Sequence, residues 1–144
     1  MGYALSLSHP PRRGVTLVEL AIAMSIVVLM ASMAWPSYQA RLAKVRRQDA
    51  VLALTQVQTA QEMFRAHHGL YAASLSQLRG GVGPVSPQGL YDIVLENVGA
   101  EGYGVVARAR ADGQQARDLD CPWLALRVDQ GVAEQTPSRS CWNQ

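Results

Sequence analysis

The sequence predicts an α+β fold in which one long N-terminal helix, membrane-spanning in its first half, packs on a small antiparallel β-sheet. Three observations carry that expectation: an apolar run near the N-terminus with a single charge in it, an amphipathic helical stretch directly after it, and several short alternating runs near the C-terminus. The chain has 144 residues, enough for one core and too few for two full domains. A content of 49% hydrophobic and 17% charged residues excludes a disordered tail and a basic protein that coats nucleic acid. The formal charge of +2 is accounted for by Arg12 and Arg13 alone.

Residues 1–14, MGYALSLSHPPRRG, contain two prolines, end in Arg-Arg-Gly and do not read as folded structure. A secretory signal carries its small-residue cleavage site beyond its apolar core. Here Gly14 lies between the basic pair and the apolar run, so a cut at Gly14 leaves the helix on the mature chain. Residues 15–35, VTLVELAIAMSIVVLMASMAW, match the ~20 residues that cross a bilayer as a helix. Between Arg13 and Arg41 the one charged side chain is Glu19. Such a group costs a few kcal/mol in a membrane helix unless it finds a partner or snorkels to the interface. Charge leaves the orientation open, because Arg12 and Arg13 precede the run while Arg41, Lys44, Arg46 and Arg47 follow it.

Pro36 lacks an amide hydrogen and predicts a kink just past the apolar run. Residues 36–68 then continue as an amphipathic helix. Ala50, Ala53, Val57, Ala60 and Phe64 recur at helical spacing, Leu54 and Met63 widen the stripe, and Gly69 is the expected C-cap. His67 and His68 suit the negative end of the helix dipole; as adjacent residues they point apart and make a poor metal pair.

Residues 69–89 read as a connecting loop with one short helical turn, and residues 90–144 as the sheet. Strands are expected at Leu90–Leu95, Tyr103–Arg110 and Trp123–Val128, with a fourth after the turn at Asp129-Gln130-Gly131. Tyr103, Val105, Ala107 and Ala109 share one face against Arg108 and Arg110; Leu124, Leu126 and Val128 oppose Ala125 and Arg127. Cys121 and Cys141 bracket the last strands outside any C-x-x-C spacing. They read as one disulfide formed in an oxidising compartment or as two separate buried thiols. No G-x-S-x-G, Gly-rich phosphate loop or paired His and Cys is present, so the chain reads as a structural or binding subunit and not an enzyme.

Taken together these residues resemble a known family. The basic leader ending at Gly14, V-T-L-V-E-L with glutamate fifth after the glycine, and the apolar helix containing Pro36 are similar to the class III signal of type IV prepilins. P-S-Y-Q at 36–39, R-R-Q-D-A at 46–50, Q-T-A-Q-E at 58–62, G-L-Y at 69–71 and the terminal Cys141-Trp142 extend the similarity to type IVa minor pilins. Val15 stands where that family usually carries phenylalanine.

The resemblance implies a type IV pilin-like fold and a structural pilus subunit that supports adhesion, twitching motility or DNA uptake, with no cofactor and no metal. It implies that residues 1–14 are a leader cut by prepilin peptidase between Gly14 and Val15, with N-methylation of the new terminus. It further implies assembly with other pilin subunits at an inner-membrane platform, through Glu19 paired with a neighbour's N-terminal amine and through the helix around Pro36. The implied location is the bacterial inner membrane with a periplasmic C-terminal domain, then the extracellular pilus. A type II secretion pseudopilin and a DNA-receptor minor pilin are the alternative roles.

For DNA, the resemblance directs attention to Arg108, Arg110, Arg117, Arg127 and Trp123, with Arg139 nearby. Asp112, Asp118, Asp120, Asp129 and Glu134 stand against them, so long-range attraction to phosphate is largely cancelled and the region reads as a solvated mixed-charge surface. Secretion pseudopilins suggest calcium at Asp112, Asp118 and Asp120, a spacing that matches no EF-hand loop.

Overall fold

A computed structural model describes residues 14–142. The expected leader lies outside the described residues except for Gly14. The chain divides into two units, meeting between Ser37 and Tyr38. One helix, α1 (Leu17–His68), contributes to both and carries Pro36 inside its assigned span.

In the first unit the helix starts with a side-chain cap. Thr16 Oγ1 accepts from the Glu19 amide at 3.2 Å, and the Thr16 carbonyl accepts from the Leu20 amide at 3.1 Å. This satisfies an amide that helix geometry leaves orphaned, and it sets Glu19 in the first turn, where a negative charge opposes the positive end of the dipole. The apolar stretch that follows is long enough to span a bilayer, and none of it is buried.

The second unit is an antiparallel sheet packed against the remainder of α1. Strands β1 (Tyr91–Glu96), β2 (Gly102–Ala109), β3 (Trp123–Asp129) and β4 (Val132–Thr136) lie in sequence order. Each predicted strand is present, within a residue at either end. The β3–β4 connection is the two residues Gln130 and Gly131, with φ of 49° and 81°. Two successive positive φ values give the backbone twist that matches paired strands, and glycine takes the second at no steric cost. Short 3₁₀ turns occupy Leu75–Gln77, as expected, and Gln114–Arg117, which the sequence does not signal.

Small residues on the helix allow large ones on the sheet to reach it. Ala50, Ala53, Leu54, Val57 and Ala60 meet Tyr91, Tyr103, Val105, Leu124, Leu126 and Val128 in one buried cluster. Burial stabilises each large apolar side chain by about 1.5–3 kcal/mol. Phe64 packs at the edge of this cluster, but Met63 is 60% exposed and does not widen the stripe. At 100° per residue Met63 falls about 120° round the helix from Val57, whereas Gln61 falls about 40° away. Gln61 is therefore the buried residue; its side chain exchanges hydrogen bonds with the Ala72 amide at 2.8 Å and the Ala72 carbonyl at 2.9 Å. Gly69 ends the helix as expected, its amide donating to the Arg65 carbonyl at 2.8 Å.

The hydroxyls of Tyr91 and Tyr103 are buried without a hydrogen-bond partner among the described residues. Burial raises both pKa values, helped by the charge of Asp118 at Tyr91 and of Glu62 at Tyr103. Their contribution to stability is complete below pH ~10, where an unfolded tyrosine begins to ionise, and it is lost as pH rises toward the higher folded values. The thermal midpoint should therefore fall above pH ~10, and the Tyr91→Phe/Tyr103→Phe protein should show a flatter decline with little loss at neutral pH. Equal alkaline slopes for the two proteins would remove this account.

Cys121 and Cys141 form a disulfide with Cα atoms 5.7 Å apart, which resolves the two readings of the pair. Trp142 beside it is buried, its indole donating to the Thr136 carbonyl at 2.9 Å. A closed loop of this length is worth about 3 kcal/mol in the chain-entropy model. Cys141→Ser is expected to lose about that much and to expose the β3–β4 segment to protease, read as new cleavage sites by mass spectrometry.

Candidate functional site

Alternation and register build the outward face of the sheet. In antiparallel pairs, directly opposed residues project from the same side. One row therefore runs Asp92, Arg108, Trp123; the next runs Val94, Val106, Ala125, Thr136; the third runs Glu96, Gly104, Arg127, Glu134. The middle row makes an apolar floor between two charged rows. A shallow groove follows the glycine-containing side of this face, bordered by Glu96, Arg127 and Glu134. Gly102 closes its end, where the backbones approach so closely that a Cβ would collide with the Val128 carbonyl oxygen.

Charges on the face are already engaged with one another. Arg108 Nη2 donates to Glu96 Oε1 at 3.0 Å. Their registered positions are Asp92 opposite Arg108 and Glu96 opposite Gly104. The pair therefore reaches diagonally across the Val94–Val106 row, and Val106 is buried although it lies on the outward side. Arg110 lies 3.4 Å from Asp112 and 3.9 Å from Asp92. The hydrogen bond with Asp112 raises the Arg110 pKa and lowers that of Asp112. Arg127 has no carboxylate within 4.0 Å among the described residues, though Glu134 is its registered neighbour on β4.

Of the residues named for DNA, the fold thus brings Arg108, Trp123 and Arg127 to one face and leaves Arg110 at its border. Arg117 belongs to the Gln114–Arg117 turn, off the sheet, and Arg139 is exposed in the C-terminal loop. Trp123 is 39% exposed. The calcium trio is not assembled: Asp112 faces Arg110 and Asp118 is taken by Arg47, and among the described residues no group of three potential ligands is present. In the first unit, Gly14 and Val15 precede the helix and Glu19 is exposed with no ion pair among the described residues.

Sequence reasoning missed the groups that hold this face in position. Arg47 is buried and grips Asp118 with two hydrogen bonds, Nε at 2.6 Å and Nη2 at 2.7 Å. Gln115 Nε2 adds a third to the same carboxylate at 2.7 Å. The hydrogen bond raises the Arg47 pKa against the opposing effect of burial. Asp49, also buried, accepts from Ser86 Oγ at 2.5 Å and from the Gln88 amide at 2.9 Å, pinning the loop that covers the outer edge of β1. A signal did exist. Residues 47, 50, 54, 57 and 61 keep helical spacing on one face, so Arg47 and Gln61 extend the apolar stripe as polar ends that require buried partners.

Comparison with known proteins comes from two family models. One described as type IV minor pilin ComP, DNA uptake sequence receptor, matches residues 36–125, which is more than half of the chain. Its span includes Arg108, Arg110, Arg117 and Trp123 and ends inside β3, before Arg127. The other, described as the prokaryotic N-terminal methylation motif, matches residues 10–35. No curated protein matches the chain.

Proposed function

The chain belongs to the type IV minor pilins of the family described as ComP, DNA uptake sequence receptor, and from that premise we propose that its sheet receives duplex DNA while its N-terminal helix holds it in the filament. As a minor pilin it is a pilus subunit with an N-terminal methylation motif and an apolar helix suited to membrane anchoring before assembly. In this reading the peptidase cuts between Gly14 and Val15, the sheet domain waits in the periplasm, and Glu19 meets the amine of a neighbouring subunit.

The observation that carries the DNA reading is the cross-strand pair Arg108–Trp123 on the exposed face, inside the segment matched to a DNA uptake receptor family. A guanidinium can contact phosphate or a guanine edge, and an exposed indole can make apolar contact with base edges in a groove. The acids that argued against DNA weigh less once located, because Asp118 is buried against Arg47 and does not face a ligand.

Binding of the full chain in non-ionic detergent to short random-sequence duplexes tests the reading. Arg108→Ala should weaken binding and reduce the salt slope by about one; Trp123→Ala should weaken binding with the slope unchanged. Parent protein that retains no duplex, or variants that bind as the parent does, would remove DNA from the function and leave the pilus subunit.

A further inference from the structure

Arginines on the outward face meet carboxylates before they can meet phosphate. Arg108 is held by Glu96 at 3.0 Å, Arg110 by Asp112 at 3.4 Å with Asp92 at 3.9 Å, and Arg127 lies opposite Glu134 in register. All three arginines thus have acid neighbours on adjoining strands or loops. Across the three rows the acids Asp92, Glu96 and Glu134 outnumber Arg108 and Arg127.

We propose that Glu96, supported by Asp92 and Glu134, is a selectivity residue: it competes with DNA phosphate for the arginines of this face and so suppresses binding to sequences that offer phosphate alone. The inference rests on the DNA reading above and names what regulates that site.

Sequence-independent affinity comes from phosphate neutralisation, and every duplex supplies the same phosphates. Contact between phosphate and Arg108 is an exchange here, since the Glu96 bond must break and its carboxylate is then left beside the DNA backbone. That cost falls on complexes that are held through the Arg108–phosphate contact. A duplex held instead by base-edge and apolar groove contacts, such as those open to Trp123, leaves the Arg108–Glu96 bond intact and does not incur it, so it stays bound while others dissociate. A receptor that must find few sites among many competitors gains from a lower general affinity, because its performance depends on the ratio of the two. The geometry suits a competitor better than a structural ion pair. The Arg108 and Glu96 side chains are 62% and 37% exposed, and a pair this exposed adds little to folding, so Glu96 is free to be displaced.

The test compares the full-length parent, Glu96→Gln and Glu62→Gln in non-ionic detergent. Glu62→Gln removes the same charge from α1, away from the sheet face. The probe is a pool of random-sequence duplexes, measured for affinity across salt concentrations and then sequenced after one round of selection. Glu96→Gln is expected to bind the pool about two- to fivefold more tightly, with a salt slope steeper by up to about one and with weaker enrichment of particular sequences. Glu62→Gln should match the parent. Equal shifts for both variants would make the effect one of net charge and overturn the inference, as would unchanged affinity and enrichment in Glu96→Gln. If neither the parent nor Glu96→Gln retains any duplex, the DNA reading itself fails and this inference with it.

Discussion

Asp118→Ala is expected to cost the sheet-bearing unit about 3–5 kcal/mol, the penalty of leaving the buried Arg47 guanidinium without its counter-ion. Few single changes outside the core would match it, against a total stability of about 5–15 kcal/mol for a domain. The carboxylate accepts three hydrogen bonds, two from Arg47 and one from Gln115, and Arg47 also reaches the Ser140 carbonyl at 3.4 Å. One clamp thus ties α1, the Gln114–Arg117 turn and the loop that ends in Cys141. Denaturant unfolding of the full chain in non-ionic detergent, followed by near-ultraviolet circular dichroism, measures the loss. Replacing both partners with apolar residues, Arg47→Met with Asp118→Leu, should recover most of it, because the buried charge is then gone. A loss below about 1 kcal/mol in Asp118→Ala would show that water reaches the pair and that the clamp does not organise the C-terminal loop. The disulfide restrains the same segment, so Asp118→Ala and Cys141→Ser should not be additive.

Glu19→Ala is expected to insert into the membrane and to be processed at Gly14, yet to enter filaments poorly. Removing the charge makes the helix more apolar, so insertion does not suffer. Assembly is different. The Val15 amine and the Glu19 carboxylate lie one helical turn apart on a chain, and between chains they bury opposite charges only when subunits are in register. Within the chain Glu19 already has one role, since its amide is capped by Thr16, but its carboxylate has no ion pair among the described residues. That leaves the charge available to a neighbour. Quantitative mass spectrometry of sheared filaments against the membrane fraction reads the outcome. Glu19→Ala recovered in filaments at the parental level would reduce Glu19 to a residue that snorkels and aids the dipole.

Membership of the family bears on the DNA question more than charge does. The sheet-bearing unit has nearly balanced charge, and a reading based on charge alone favours a solvated surface. Location within the fold changes the weight of individual groups: Asp118 is removed from the surface, Asp112 is spent on Arg110, and Arg108 and Trp123 become neighbours across two strands. In the proposed DNA reading the face relies on few contacts made well, the condition under which competition by Glu96 would favour selectivity.

Much of the molecule is legible in the chain because the causes are local. The length of the apolar run, the 3.6-residue stripe from Ala50 to Phe64, the alternation in three strands and the Gln130-Gly131 turn each follow from residues within a few positions of one another. The methylation motif at the N-terminus is equally local. Tertiary structure alone decided the rest. It paired Arg47 with Asp118 across 71 positions and Asp49 with Ser86 across 37, it buried Gln61 and exposed Met63, and it set the register that puts Arg108 beside Trp123 and within reach of Glu96. The physical reason is common to all of these. Whether a polar group stabilises, costs or remains free depends on the distance to its partner and on the water excluded between them, and neither quantity exists until the helix and sheet have closed on each other.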